Sequence, residues 1–213
     1  MSTLLKIMLL GCLSMSAFAE EAKLEKVQVA TDKPSIAKGA EDWINNCLTC
    51  HTMKYVKYRD LLSLGIDKAK VDGWRGEASL DTPLTAQMPD AVAMATFAKL
   101  PPDLSLMARA RDGGPNYVYS YLIGYYVNPD GSVGNHVFPE TKMPDPLGIS
   151  SAANAAERSE KQKTAKSITS FLTWAADPHS GDRTRLGYYV IAYLIVLSAL
   201  LYVVKKQIWS RLK

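Results

Sequence analysis

Cysteine and histidine are scarce in this chain, with three of each among 213 residues. So few cysteines cannot form the dense disulfide framework that holds many small secreted domains together. Two of them, Cys47 and Cys50, nevertheless lie three residues apart, and His51 follows directly. The other histidines, His136 and His179, stand alone, so a structural zinc site would lack the second pair of ligands that such sites usually have.

The chain also lacks a cluster of basic side chains in its main body. Between residues 20 and 185 there are 20 basic and 21 acidic side chains, although the whole chain carries a net charge of +4. A nucleic-acid-binding domain needs lysines and arginines concentrated on one face or along one helix. The charge distribution therefore argues against a nucleic-acid partner, and the 47% hydrophobic content indicates a folded domain.

The N-terminal segment, residues 1–19, has the order of features typical of a secretory signal peptide. A single lysine precedes an apolar core that is too short to span a bilayer, and the segment closes on the sequence AFA at Ala19. Cleavage after Ala19 would also remove Cys12 and leave a mature chain with two cysteines. The alternatives are a lipoprotein processing site at LLGC and a hydrophobic first helix of the domain.

The other end carries an uncharged apolar stretch, residues 186–204, which predicts a transmembrane helix. At 1.5 Å per residue, its 19 residues reach roughly 28 Å, enough for the hydrocarbon core. Four basic side chains follow in residues 205–213 and predict a cytoplasmic tail. The two ends together predict a single-pass protein of the bacterial inner (cytoplasmic) membrane, with residues 20–185 in the periplasm; a buried core helix is the alternative for the last stretch.

The sequence CLTCH, Cys47 to His51, has three interpretations: a disulfide, half of a zinc site, or a haem attachment point. A catalytic disulfide usually lies in a thioredoxin-like pattern of strand and helix, and no strand pattern precedes Cys47. Cysteines at i and i+3 share one face of a helical turn, where they can form thioethers to the two vinyl groups of a haem. His51 can then ligate the iron, so the pattern favours one covalently bound haem c.

The residues before this motif predict a helix that begins near Pro34. Its apolar positions recur at helical spacing, namely Ile36, Ala40, Trp43, Ile44 and Cys47. Gly39 lies on the same stretch and predicts the close approach of a second helix, because glycine has no side chain to keep a neighbour away. The candidate partner is the sequence SITSFLTWAADP, which carries another helical stripe.

The middle of the chain predicts two helices, over 99–114 and from Pro115 to Tyr125, and then a long loop over 127–150. The loop holds two candidate ligands for the free side of a haem iron, His136 and Met143. A Met/His ligand pair raises the potential of a haem and suits electron transfer, which favours Met143. The alternatives are His136 or an open iron position. Other methionines are the rivals of Met143, and two of them are predicted to fill the core: Met94 and Met107.

Several blocks of the sequence resemble the cytochrome c1 family, the haem subunits of ubiquinol–cytochrome c oxidoreductase (cytochrome bc1) complexes. They are CLTCHTMKYVKYRDL, LPPDLSLMARARDGGPNYVYSYLIGYY, MPDP, FLTWAADP, and a final helix followed by KKQIWSRLK. The resemblance implies a mainly α fold: a c-type cytochrome haem domain with long loops, plus one C-terminal transmembrane helix.

The resemblance also implies roles for single residues. Cys47 and Cys50 would carry the haem, with His51 as the proximal ligand and Met143 as the distal one. Arg111 would face a haem propionate, since a guanidinium pairs well with a carboxylate. Three further residues would help to wall the pocket: Tyr117, Pro101 and Pro102.

The function implied by the resemblance is electron transfer from the Rieske iron–sulfur protein to a soluble or tethered c-type cytochrome. Quinol chemistry would belong to the cytochrome b subunit, so this chain would be a redox subunit of the oxidoreductase without a quinol-binding catalytic site of its own. Two alternatives belong to other classes. One is a tethered cytochrome that serves another respiratory chain or a terminal oxidase, and the other is a haem enzyme or gas sensor with an open iron position.

Overall fold

A computed structural model describes residues 23–211, and the predicted signal peptide lies outside them. The described residues form helices with a few short strands, as the sequence predicts. In chain order these are α1 (Lys33–Cys47), β1 (Met53–Lys57), α2 (Tyr58–Ser63), α3 (Lys68–Arg75), β2 (Pro83–Leu84), α4 (Asp90–Phe97), α5 (Met107–Ala110), α6 (Pro115–Ile123), β3 (Tyr125–Val127), β4 (Val133–Asn135), α7 (Ala155–Ala176) and α8 (Ser180–Arg211).

The core of the domain is built where α1 packs along α7. The side chain of Asp32 caps the start of α1 by accepting a hydrogen bond from the Ser35 N–H, and Pro34 occupies the first turn. The crossing is close at Gly39, where an added Cβ would lie 2.2 Å from the backbone oxygen of Ser167. One turn further on, the buried ring of Trp43 lies 6.0 Å from that of Phe171, which confirms the predicted pairing of these helices.

Helices α5 and α6 also contact α7, so the middle helices pack on the last helix of the domain. Two small antiparallel sheets lie beside them: β1 pairs with β2, and β3 pairs with β4 in a hairpin. The fold is thus mainly α with long loops, as predicted.

The predicted helix over 99–114 is wrong for most of its length, because α5 covers only Met107–Ala110. Residues 100–104 before it form neither helix nor strand, and they bond to the segment after the CLTCH motif. The N–H of Leu104 donates to the Thr52 carbonyl, and the Asp103 carboxylate accepts from the N–H of Lys54. The Leu104 N–H is thus satisfied by a bond outside any helix.

The second predicted helix ends two residues early, at Ile123, so Tyr125 lies in β3 rather than on a helical stripe. The amide of buried Asn135 donates to the Tyr121 carbonyl and takes up one of the helix-terminal acceptors. Gly124 is required at this point, since a Cβ there would lie 2.7 Å from the Ser120 carbonyl oxygen. The chain therefore turns directly from α6 into the hairpin.

The last helix, α8, contains the predicted stretch 186–204 and continues beyond it on both sides. It is long and apolar enough to cross a membrane, and its residues are not buried against the rest of the described chain. Near its start, Arg183 pairs with Asp177 at the end of α7 at 2.5 Å, and Asp177 also pairs with Arg109 of α5 at 2.8 Å. The beginning of α8 is thus connected to the domain by ion pairs.

Candidate functional site

The end of α1 brings the two cysteines and the histidine of the CLTCH motif into one turn. The carbonyl oxygen of Cys47 accepts hydrogen bonds from the N–H groups of Cys50 at 3.1 Å and of His51 at 2.8 Å. The turn is also bonded to a distant segment, since the N–H of Met88 donates to the Thr49 carbonyl at 2.9 Å. The side chains of Cys47, Cys50 and His51 all line one cavity.

The imidazole of His51 is buried and has one fixed partner. Its Nδ1 lies 2.8 Å from the carbonyl oxygen of Pro102, which can only accept, so Nδ1 carries the proton. The other ring nitrogen, Nε2, therefore carries no proton, and its lone pair can bind a metal ion. Burial lowers the pKa of His51. This effect is larger than those of the Pro102 carbonyl and the Asp103 carboxylate, which raise it. A neutral imidazole oriented by a backbone carbonyl is the usual form of a metal-ligating histidine.

The cavity has a volume of about 360 Å³, within the roughly 300–1,000 Å³ common for cofactor sites. Most of its walls are apolar or aromatic, and they come from α1, α4, α5, α6, α7 and the long loop. Besides the motif residues, the lining includes Phe97, Pro101, Pro102, Leu104, Met107, Arg111, Tyr117, Val118, Tyr121, Leu122, Phe138, Lys142, Met143, Pro144, Pro146, Ile168 and Leu172.

All eight residues assigned from the sequence line this cavity, including Met143 from the long loop. Arg111 is exposed at its edge, and its guanidinium lies 5.7 Å from the centre of the Tyr117 ring. That position allows the charge to remain solvated while the group reaches into the cavity.

Of the rival candidates for the iron ligand, His136 and Met94 do not line the cavity, whereas Met107 does. His136 is exposed and stacks on the ring of Tyr126 at 4.2 Å, outside the cavity lining. Met94 is 49% exposed on α4, so its assignment to the core is wrong: α4 turns this side chain to solvent and buries Ala93 instead. Met107 packs partly against the core, as predicted, and also lines the cavity.

Met143 is held by polar side chains that sequence reasoning missed. Its carbonyl oxygen accepts a hydrogen bond from the hydroxyl of Tyr125 at 3.3 Å, and its N–H donates to Thr141 Oγ1 at 3.2 Å. The hydroxyl of Tyr121 bonds in turn to Thr141. The sequence signal for these contacts was the run of tyrosines in NYVYSYLIGYY. A tyrosine can serve as part of an apolar helix face or as a hydrogen-bond donor, so the pattern alone does not show which role each one has.

The thiols are poorly suited to the zinc interpretation. Burial, with a smaller effect from Cys50, raises the pKa of Cys47 to about 12, which disfavours the thiolate that zinc requires. Residues 23–211 also contain no group of three or more His, Cys, Asp and Glu side chains placed to hold a metal ion. A thioether carries no charge, so burial does not oppose it.

These observations fit a haem. The cavity offers apolar walls for a flat macrocycle, two adjacent sulfur atoms, and a neutral imidazole nitrogen. A second soft donor, the thioether of Met143, lines the same cavity, and a guanidinium lies at its edge. Imidazole nitrogen and thioether sulfur are both donor types that haem iron accepts.

The fold and the site therefore define a helical domain of the c-type cytochrome kind. The chain belongs to the Cytochrome C1 family, whose profile matches residues 23–212. Membership implies a haem cofactor and supports a role as a redox subunit of respiratory electron transport.

Individual curated proteins and a solved structure are similar to this chain. The chain is 31% identical to cytochrome c1 of Allochromatium vinosum, over 84% of this chain and 85% of that protein. It is 26% identical to the ammonia monooxygenase gamma subunit of Nitrosomonas europaea, over 97% of this chain and 96% of that protein. A solved structure of a hyperthermophilic respiratory Complex III contains a chain with a TM-score of 0.47 and 22% identity, which covers 99% of this chain and 97% of its own.

Proposed function

We propose that this chain is the electron-transfer subunit of a cytochrome bc1 complex, which accepts electrons from the Rieske iron–sulfur protein and passes them to a c-type cytochrome through one covalent haem c. The observation that carries the proposal is the single cavity lined by Cys47, Cys50, His51 and Met143. Family membership supports the class of function.

Each residue has a separate task in this proposal. Cys47 and Cys50 would hold the haem through thioethers, and His51 Nε2 and the Met143 thioether would be the two protein ligands of its iron. Two protein ligands suit an iron that transfers electrons rather than one that binds a substrate. When bound, the haem supplies a one-electron couple that a Met/His ligand pair shifts to higher potential. Arg111 pairs with a propionate at the cavity edge, and Tyr117, Pro101 and Pro102 exclude water from the ring.

The proposed partners are cytochrome b, the Rieske protein and a soluble or tethered c-type cytochrome. Purification of the membrane-bound chain, followed by reduced-minus-oxidised difference spectra and identification of its companions, tests this directly. Haem b bands and an iron–sulfur subunit are expected in the same preparation. A chain that purifies with its haem but with neither companion would instead be a tethered cytochrome serving another chain or oxidase.

The proposed location is the bacterial inner membrane, crossed once. Residues 1–19 are removed as a signal peptide, residues 20–185 form the periplasmic haem domain, residues 186–204 span the membrane, and residues 205–213 are cytoplasmic. Support comes from the long apolar helix α8 and from the basic side chains after Val204.

A covalent haem should survive denaturation. We expect the wild-type band on a denaturing gel to stain for haem after extraction with acidic acetone, because thioether bonds are not broken by either treatment. Replacing both Cys47 and Cys50 by serine should abolish the stain, whereas Cys50→Ser alone should retain part of it through the remaining thioether. A wild-type band that loses all its colour on extraction would contradict covalent attachment.

A chain that ends after Arg185 should be soluble and should keep its haem spectrum. No residue of α8 lines the haem cavity, and the truncated chain retains Arg183 and its ion pair with Asp177. It should fail to assemble with membrane partners, which co-purification would measure. Loss of haem on truncation would instead make the last helix part of the domain.

A further inference from the structure

We propose that Tyr125 is a positioning residue for Met143: the hydrogen bond from its buried hydroxyl to the Met143 carbonyl holds this side of the long loop closed over the cavity. The proposal rests on the proposed function, because it takes Met143 to be the second iron ligand.

The hydroxyl of Tyr125 is placed by the core and not by the loop. Its side chain is 1% exposed, and its residue in β3 pairs with buried Asn135 of β4. The ring also makes an edge contact with Tyr121 at 5.8 Å. A buried hydroxyl is rarely left unpaired, and the Met143 carbonyl oxygen accepts from this one at 3.3 Å. The side chains of Tyr121 and Thr141 also lie within hydrogen-bonding reach of the Tyr125 hydroxyl.

The peptide group on the other side of Met143 is held in a related way. The Met143 N–H donates to Thr141 Oγ1 at 3.2 Å, and Thr141 is bonded to the Tyr121 hydroxyl of α6. Both peptide groups next to the ligand are therefore connected to tyrosines that belong to α6 and β3. These elements pack on the core, whereas neighbouring loop residues such as Lys142 and Phe138 are exposed.

The chemistry of a thioether ligand makes this connection useful. A thioether is neutral and a weak donor, so its bond to iron alone competes poorly with imidazole or other added ligands. The fraction of molecules in which the sulfur has left the iron depends on how easily the loop opens locally. A hydrogen bond that exists only in the closed loop lowers that fraction, and one such bond shifts an equilibrium by roughly 3- to 10-fold.

The test uses the full-length holoprotein in detergent and titrates the ferric form with imidazole, which displaces the methionine. Tyr125→Phe keeps the buried ring and removes one hydroxyl. We expect its apparent affinity for imidazole to rise by about 3- to 10-fold, with faster amide exchange at Met143 and an unchanged haem content. Tyr119→Phe is the matched control, because Tyr119 lies on α6, is half-buried, does not line the cavity, and its hydroxyl has no hydrogen-bond partner among residues 23–211.

Met143→Leu, measured in the same titration, tests whether Met143 is the ligand separately from whether Tyr125 positions it. If Met143→Leu binds imidazole no better than the wild type, Met143 is not the ligand and the proposed site fails. If Met143→Leu binds imidazole readily while Tyr125→Phe matches Tyr119→Phe in both affinity and amide exchange, the ligand assignment stands and the role of Tyr125 is overturned.

Discussion

Replacing Met143 by leucine should lower the reduction potential of the bound haem by roughly 0.1 V or more, within the span of about 0.8 V over which axial ligands tune a haem. Leucine keeps the volume and apolarity of the side chain but cannot donate to iron. The neutral thioether favours ferrous over ferric iron, so its loss removes that preference. Because Met143 lines the cavity from a loop, the rest of the site should remain intact.

The functional consequence follows from the size of this shift. A one-electron equilibrium changes tenfold for each 59 mV, so 0.1 V is roughly a 50-fold change against accepting an electron. Quinol oxidation through the complex should fall accordingly, and the reduced protein should bind carbon monoxide because one iron position is now open. Redox titration, carbon monoxide difference spectra and steady-state assays measure the three effects, while the haem stain should not change.

Three controls identify the ligand. Met94→Leu makes the same chemical change on an exposed helix face, and His136→Leu removes an exposed imidazole outside the cavity. Both should keep the wild-type potential and exclude carbon monoxide. Met107 is the informative rival because it lines the cavity too. If Met107→Leu or His136→Leu opens the iron while Met143→Leu does not, the ligand has been assigned to the wrong residue.

The helical pairing at the centre of this fold could be predicted because its signals are local. The apolar spacing, the start signal at Pro34 and Gly39 all lie within residues 34–47, and the stripe on α7 is equally local. The mainly α class and the apolar C-terminal helix follow from similar short-range patterns. The haem motif is also local, since the backbone of one turn brings Cys47, Cys50 and His51 together.

The parts that could not be predicted depend on contacts between distant segments. The stretch after Pro101 reads as a helix, but residues 101–104 are not helical, and this segment bonds instead to residues 52–55. The exposure of Met94 depends on which face α4 turns to the core, and this helix has apolar residues on more than one side. The hydrogen bond from Tyr125 to Met143 joins residues 18 apart and has no signature in spacing.

Gly39→Ala should be the most destabilising small substitution at the α1–α7 crossing. The new Cβ would lie 2.2 Å from the Ser167 backbone oxygen, 2.9 Å from its carbonyl carbon and 3.0 Å from the Phe171 Cβ. Two of these neighbours are backbone atoms, which no side-chain rotation can move, so the helices must separate. Overpacking of this kind costs roughly 1–3 kcal/mol and sometimes more, which lowers the melting temperature of a domain this size by roughly 2–12 °C.

The separation would also reach the haem, because both helices contribute to its cavity. α1 ends at Cys47, and α7 supplies Ile168 and Leu172 one turn from the crossing. Gly73→Ala is the matched control: Gly73 lies inside α3 with nothing within 4 Å of the new Cβ, so alanine there should stabilise by roughly 0.5–1 kcal/mol. Thermal unfolding of the two holoproteins, followed by haem absorbance, should therefore shift in opposite directions. Equal melting temperatures would mean that α1 and α7 do not approach each other closely at Gly39. The part of the cavity wall that is formed at this crossing would then have to lie elsewhere.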